Sequence, residues 1–138
     1  MLKKDLLVRQ FEEMGKVLAA LLSFKRNKEW DLFEKELGEA VKRYTPLEIG
    51  AVEDMEREEF EKQIIVDDKT NFEQKKILAT LLFEKMNFYL SQGRNNEYTR
   101  LKEKCLRLYE YLANDLTENE YNLDIHYKLR VLREDDQG

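Results

Sequence analysis

The sequence predicts an all-α protein of two antiparallel helical hairpins joined by a short acidic helical connector, and three observations predict it. Composition is the first: charged residues make up 38% and apolar residues 42% of the 138-residue chain, with five glycines and one proline. Such a mixture suits long solvated helices better than the many turns of a sheet protein. Internal repetition is the second. At an offset of 68 residues, Trp30, Phe33, Leu37, Ala40, Val41 and Tyr44 fall on Tyr98, Leu101, Cys105, Leu108, Tyr109 and Leu112, so one apolar seam is written twice. The third is the helical spacing of each seam. A repeat of this kind specifies architecture more firmly than activity, because each unit buries its neighbour's apolar face instead of aligning reacting groups. The length is that of a single domain, able to bury roughly two thirds of its unfolded surface without staples.

A first helix is predicted from about Leu2 to Phe24, where Leu7, Phe11, Met14, Leu18 and Leu21 share a face and Val17, Ala20 and Leu22 broaden it. An apolar face that wide predicts a central helix covered on more than one side. Asn27 is a cap for a second helix, Lys28 to Tyr44, and Asn95 repeats it before the helix that carries Tyr98; an Asn side chain at that place accepts from an otherwise unpaired amide. Three further starts are written as Thr-x-x-Glu, at Thr45 to Glu48, Thr70 to Glu73 and Thr117 to Glu120, the spacing of a reciprocal capping box. Pro46 suits the first of them. Hairpin 1 therefore spans about 2–44, the connector about 45–69 with one or two short helices broken by Gly50 and by Asp67 and Asp68, and hairpin 2 about 70–114. Ala79, Leu82, Met86, Tyr89 and Leu90 in its first helix match Phe11, Met14, Leu18, Leu21 and Leu22.

A last segment, about 117–132, reads two ways. Tyr121, Leu123, Ile125, Tyr127, Leu129 and Val131 alternate strictly, as in a half-buried strand, whereas wound as a helix they form apolar stripes on opposite sides. The capping box, and the lack of any ladder partner for a lone strand, favour the helix. Two apolar stripes need cover, which predicts a homodimer with Tyr121, Leu123, Ile125, Tyr127 and Leu129 as its interface.

Net charge is −5, but Pro46 to Asp68 alone holds nine acidic residues against Arg57 and Lys62, so the acidity is local. An acidic whole argues against bulk binding to phosphate backbones without excluding a small basic site. The longest run without strongly polar side chains, Val17 to Phe24, is far shorter than the ~20 residues that cross a bilayer, and no small-residue cleavage site follows it, which predicts a cytoplasmic protein without membrane association. One cysteine permits neither an internal disulfide nor a thiolate metal cluster.

From about Ile77 to Leu112 the chain resembles a degenerate tetratricopeptide repeat: Tyr89 lies four residues before the turn glycine Gly93, and Cys105 stands where the second helix carries a small residue. Met86 and Tyr98 replace small residues of that pattern, Lys85 an apolar one, and Glu110 stands near its usual proline. The layout, with its connector LEIGAVEDMEREEFEKQI, is also similar to a bacterial family of unknown function with a tetratricopeptide-like second half. The first resemblance implies peptide or protein binding; the second implies a fold and no activity.

Motifs for catalysis are absent from the pattern. His126 is the only histidine, Cys105 occupies a seam position, and the five glycines are scattered instead of forming a phosphate loop. Leu123 stands three residues before His126, where a di-iron bundle would need Glu, and paired carboxylates such as Glu12 and Glu13 read as solvated helix faces. A noncatalytic protein without cofactor or metal is the expectation. Gly15 and Gly38 sit inside helices at a cost of about 1 kcal/mol each relative to alanine, which points to close approach by internal packing or by a partner's helix. The candidate partner-binding surface is Arg100, Lys104, Arg107 and Tyr111, spaced 4, 3, 4 along the fifth helix opposite its seam. That line suits a protein or peptide, or alternatively a nucleic-acid backbone with Tyr111 stacking on a base; a solvated face with Glu103 pairing to Arg107 is the plain reading.

Overall fold

The structure, a computed structural model, describes residues 2–115 and 122–135. It is all-α, with seven α-helices and no strand among the described residues: α1 Leu2–Arg26, α2 Trp30–Tyr44, α3 Ile49–Asp54, α4 Arg57–Phe60 continuing into a π-helical segment Glu61–Val66, α5 Phe72–Ser91, α6 Asn95–Asp115 and α7 Leu123–Asp135. No described helix is long and apolar enough to cross a membrane.

Helices pack in the order α1, α2, α5, α6, α7, with α1/α2 and α5/α6 as hairpins. Phe33, Leu37, Ala40, Val41 and Tyr44 of α2 are buried, and so are Leu101, Cys105, Leu108, Tyr109 and Leu112 of α6, the same register in both. The hairpins meet where Phe33 stacks on Phe88 at 4.5 Å and 5° between planes, with Trp30 edge-on to Phe88 at 5.6 Å. Offset stacks and edge contacts are the geometries that the ring quadrupole favours.

The central helix is α5, not α1. Leu78, Ala79, Leu81, Leu82, Phe83, Met86, Phe88 and Tyr89 are buried around its circumference, because α2 covers one side and α6 the other. Helix α1 lies at the edge of the stack, packing chiefly on α2 through Met14, Val17 and Leu21; Tyr44 also donates to Glu13 across that contact at 2.9 Å. Leu18 and Phe24 add to that contact from its edge, while Val8, Phe11 and Leu22 are exposed.

Several helix starts differ from the sequence reading. The first turn closes on Lys28, whose φ of 58° is left-handed, with Glu29 N donating to Phe24 O at 2.8 Å; α2 therefore begins at Trp30 and Asn27 does not cap it. Gly93 takes the same left-handed role at the second turn, φ 71°, and Asn95 is already inside α6. Thr45 ends a helix instead of starting one: its hydroxyl donates to Val41 O at 2.7 Å and accepts from Leu47 N at 3.1 Å. The capping box of α5 is shifted one residue, from Thr70 and Glu73 to Asn71 and Gln74, whose side chains accept from each other's amides at 2.8 and 3.0 Å. Asn caps at least as well as Thr, and Gln reciprocates as Glu would. Gly50 lies within α3 and is no break. The Thr117 to Glu120 box lies outside the described residues.

The last segment is a helix, and it is one-sided. Ile125, Leu129 and Leu132 are buried against the α6 side, while Leu123 is 72% and Tyr127 53% exposed. The predicted dimer interface is thus divided: Ile125 and Leu129 belong to the chain's own core, and Tyr121 lies outside the described residues.

Where α5, α6 and α7 converge, Lys128 sits 4.5 Å from the Phe83 ring centroid and 3.5 Å from Asp124. Burial raises the carboxyl of nearby Glu84 above its ordinary range, against the opposing pull of Lys128 and Lys25. A carboxylate with a raised folded pKa carries a stability penalty that is fully present above that pKa and vanishes below the unfolded value near 4.5. Glu84→Gln is therefore expected to stabilise the protein at pH 7 by on the order of 1 kcal/mol. Its advantage over wild type should shrink as the pH falls through that window, as read from urea midpoints at several pH values; an advantage independent of pH would show that ionisation is not its source.

Candidate interaction surface

The connector does not hang between the hairpins. Two of its residues bond to cations of α6, Glu61 through its carboxylate and Glu53 through its backbone carbonyl. Arg107 makes a two-pronged ion pair with Glu61, Nε and Nη2 donating at 2.7 and 2.6 Å, and this hydrogen bonding holds the guanidinium above its already high ordinary pKa. Lys104 is buried and its Nζ donates to the Glu53 carbonyl at 2.9 Å. Burial, then the neighbouring Arg100, lowers its pKa. Tyr111, half-buried, lies under Lys75, whose Nζ is 5.7 Å from the ring centroid and donates to Thr70 O at 2.6 Å. Of the four sequence candidates only Arg100 is exposed. The line is real as spacing on a helix, but two of its three cations are engaged by the chain itself.

Glu53, at the end of α3, is the anchor that the sequence did not reveal. Its carboxylate accepts from the Tyr89 hydroxyl and lies 3.6 Å from Lys85 Nζ, which is also 3.7 Å from Glu34 of α2. Lys85 is buried, with its ammonium 5.2 Å from the Tyr89 ring centroid and 5.7 Å from that of Phe88. Burial, then the Glu53 contact, pushes the Tyr89 hydroxyl above its ordinary pKa, so it acts as a fixed donor. One acidic residue thereby ties α3 to α5 and α6, and Lys85 extends the network to α2. The departure of Lys85 from the tetratricopeptide pattern was the one available signal.

Between α4 and α6 the connector leaves an open groove of about 930 Å³. Met55, Phe60 and Leu106 give it an apolar floor, and its rim carries Glu56, Arg57, Glu58, Arg100, Glu103 and Glu110. With Arg107 paired to Glu61 and Glu110 to Arg133, the remaining carboxylates and cations around the opening balance. Charges of both signs over buried apolar surface suit a polypeptide segment with apolar side chains to insert. A phosphate backbone, by contrast, calls for a continuous line of cations.

Elsewhere the chemistry is closed. Cys105 is fully buried and burial pushes its thiol well above the usual range, so it has little thiolate for nucleophilic attack. Among the described residues, no three His, Cys, Asp or Glu side chains converge as a metal site would require. Internal packing requires neither helical glycine: a Cβ at Gly38 would lie at ordinary contact distance from Ile49 Cγ2, 3.7 Å, and a Cβ at Gly15 would meet nothing within 4 Å. No protein-family model, curated protein or solved structure matches the chain.

Proposed function

We propose that the protein is a noncatalytic protein-protein interaction module that holds a short amphipathic segment of a partner in the groove between α4 and α6. The observation that carries this reading is the groove's construction: an apolar floor of Met55, Phe60 and Leu106 beneath a rim of mixed charge, on a connector clamped in place by Glu53 and Glu61. A preformed groove spares the ordering cost that a flexible connector would bring to each binding event. The rim's mixed charge favours a segment that carries polar or charged residues beside its apolar ones. The tetratricopeptide resemblance points to the same class of ligand.

Photo-crosslinking from position 103, followed by peptide sequencing of the adducts, tests the proposal. Crosslinks should concentrate on one amphipathic segment of a partner. Leu106→Asp, which puts a charge on the groove floor, should reduce capture at least about tenfold while helicity is retained. Adducts scattered over many unrelated sequences, or capture indifferent to Leu106→Asp, would remove the groove from consideration. Titration with single-stranded nucleic acid at low salt should give no binding. An affinity that falls steeply with salt and is lost in Arg100→Glu would replace the protein partner by a nucleic acid.

A further inference from the structure

A different face of the molecule carries a second inference. The outer side of α1 presents Val8 at 51%, Phe11 at 79% and Leu22 at 49% exposure, with Leu18 half-buried at the edge of the same face. Their spacing of 3, 7 and 4 residues, with Gly15 midway between Val8 and Leu22, makes one stripe two turns either side of the glycine. Helix α1 ends the stack, and the outer face of a terminal helix in a stacked helical protein is ordinarily polar. This one carries an apolar stripe beside its charged residues, and a Cβ at the central glycine would meet nothing in its own chain within 4 Å.

We propose that the chain forms an antiparallel homodimer through the outer face of α1, with Gly15 on the two-fold axis. The stripe is complementary to itself under that rotation. Placing Gly15 against Gly15 of a second copy sets Val8 opposite the second copy's Leu22, and Phe11 opposite its Leu18. Glu12 and Lys16, both exposed, lie on one flank of the stripe, and the rotation brings each beside its opposite in the other copy. Two symmetric ion pairs therefore frame the apolar contact, and the absence of a side chain at residue 15 lets the backbones approach closely. A contact made by one face of a single helix falls at the lower end of specific interfaces, which implies a reversible dimer of about micromolar affinity.

Sedimentation velocity on the full chain from about 1 to about 300 µM spans the dissociation range expected of an interface this small. Wild type should pass reversibly from monomer to dimer. Phe11→Glu should weaken the dimer at least about 100-fold and leave the monomer's melting temperature nearly unchanged. Gly15→Leu separates interface from fold: leucine favours the helix and its Cβ meets no atom of its own chain within 4 Å, so the monomer should melt higher while the dimer is lost. Glu12→Lys should weaken association about tenfold, and the double exchange Glu12→Lys with Lys16→Glu should restore it. A monomeric mass throughout the range overturns the proposal. So does a dimer that survives Phe11→Glu and Gly15→Leu, and failure of the double exchange to restore association overturns the antiparallel arrangement.

Discussion

Phe88→Ala should cost about 4 kcal/mol, the largest loss expected from any single truncation at the contact between the two hairpins. The side chain is fully buried, stacked on Phe33 and met edge-on by Trp30, and the Lys85 ammonium lies over its ring. Its removal opens a cavity, abolishes two aromatic contacts and leaves the buried ammonium one ring fewer. Because a domain of this size holds only about 5–15 kcal/mol in total, the melting temperature should fall by roughly 15 °C. Phe88→Leu, which restores most of the volume without the stack, should recover about half to two thirds of that loss. The control is Phe11→Ala: equal in chemistry but 79% exposed in the monomer, it should change monomer stability by less than about 0.5 kcal/mol. Urea unfolding at low micromolar concentration measures all three, and a Phe88→Ala cost below about 1.5 kcal/mol would mean that the hairpins do not meet at this ring.

The contrast between those phenylalanines marks how far the sequence could be read. Periodicity identifies an apolar face, and it identified those of α2 and α6 residue by residue because each has a single apolar side. It does not say what covers a face. Leu82 in α5 and Phe11 in α1 fit the same seam pattern, yet one lies between two hairpins and the other at the edge of the stack. The central helix was misplaced for that reason. Helix starts were misread more locally: Thr70-x-x-Glu73 and Asn71-x-x-Gln74 are overlapping boxes, and the choice is made by tertiary structure, which buries Thr70 and takes its carbonyl as an acceptor for Lys75.

The candidate surface was half legible. Arg100, Lys104 and Arg107 do share a side of α6, and the connector's acidity was plain. Their union was not, because Arg107 and Glu61 are 46 residues apart, and Lys104 and Glu53 are 51 apart. Nothing local to either segment encodes such a contact. Electrostatics offers only a tendency, in that a strip of net negative charge and a line of cations in one small domain will find each other unless packing forbids it. The exposed Arg107–Glu61 pair adds at most about 1 kcal/mol to stability. Its consequence lies more in orientation, since the two-pronged geometry fixes the π-helical segment against α6 and so sets the width of the groove.

Ile125→Asp should release α7 from the body of the protein, at a cost above about 4 kcal/mol, instead of separating two subunits. Ile125 is fully buried, and with Leu129 and Leu132 it forms the face that α7 turns toward α6. A carboxylate there lies among apolar side chains with no paired cation, so the helix will undock before the charge is buried. The strict alternation of Tyr121 to Val131 concealed this, because on a helix Ile125 and Tyr127 point to nearly opposite sides and only one of them faces the core. Cys105 reports the event. Its thiol is buried, and Lys128 of α7 is close enough to act on it electrostatically, so loss of α7 should raise its rate of modification by a thiol reagent by at least about tenfold. Circular dichroism should lose about the 13 residues of α7 while the remaining helices melt cooperatively at a lower temperature. Tyr127→Asp, on the exposed side, should change stability by less than about 0.5 kcal/mol and leave Cys105 protected. Were the C-terminal segment a dimer interface, Tyr127→Asp and Leu123→Asp would lower the mass at high concentration. If α1 carries the dimer, neither will.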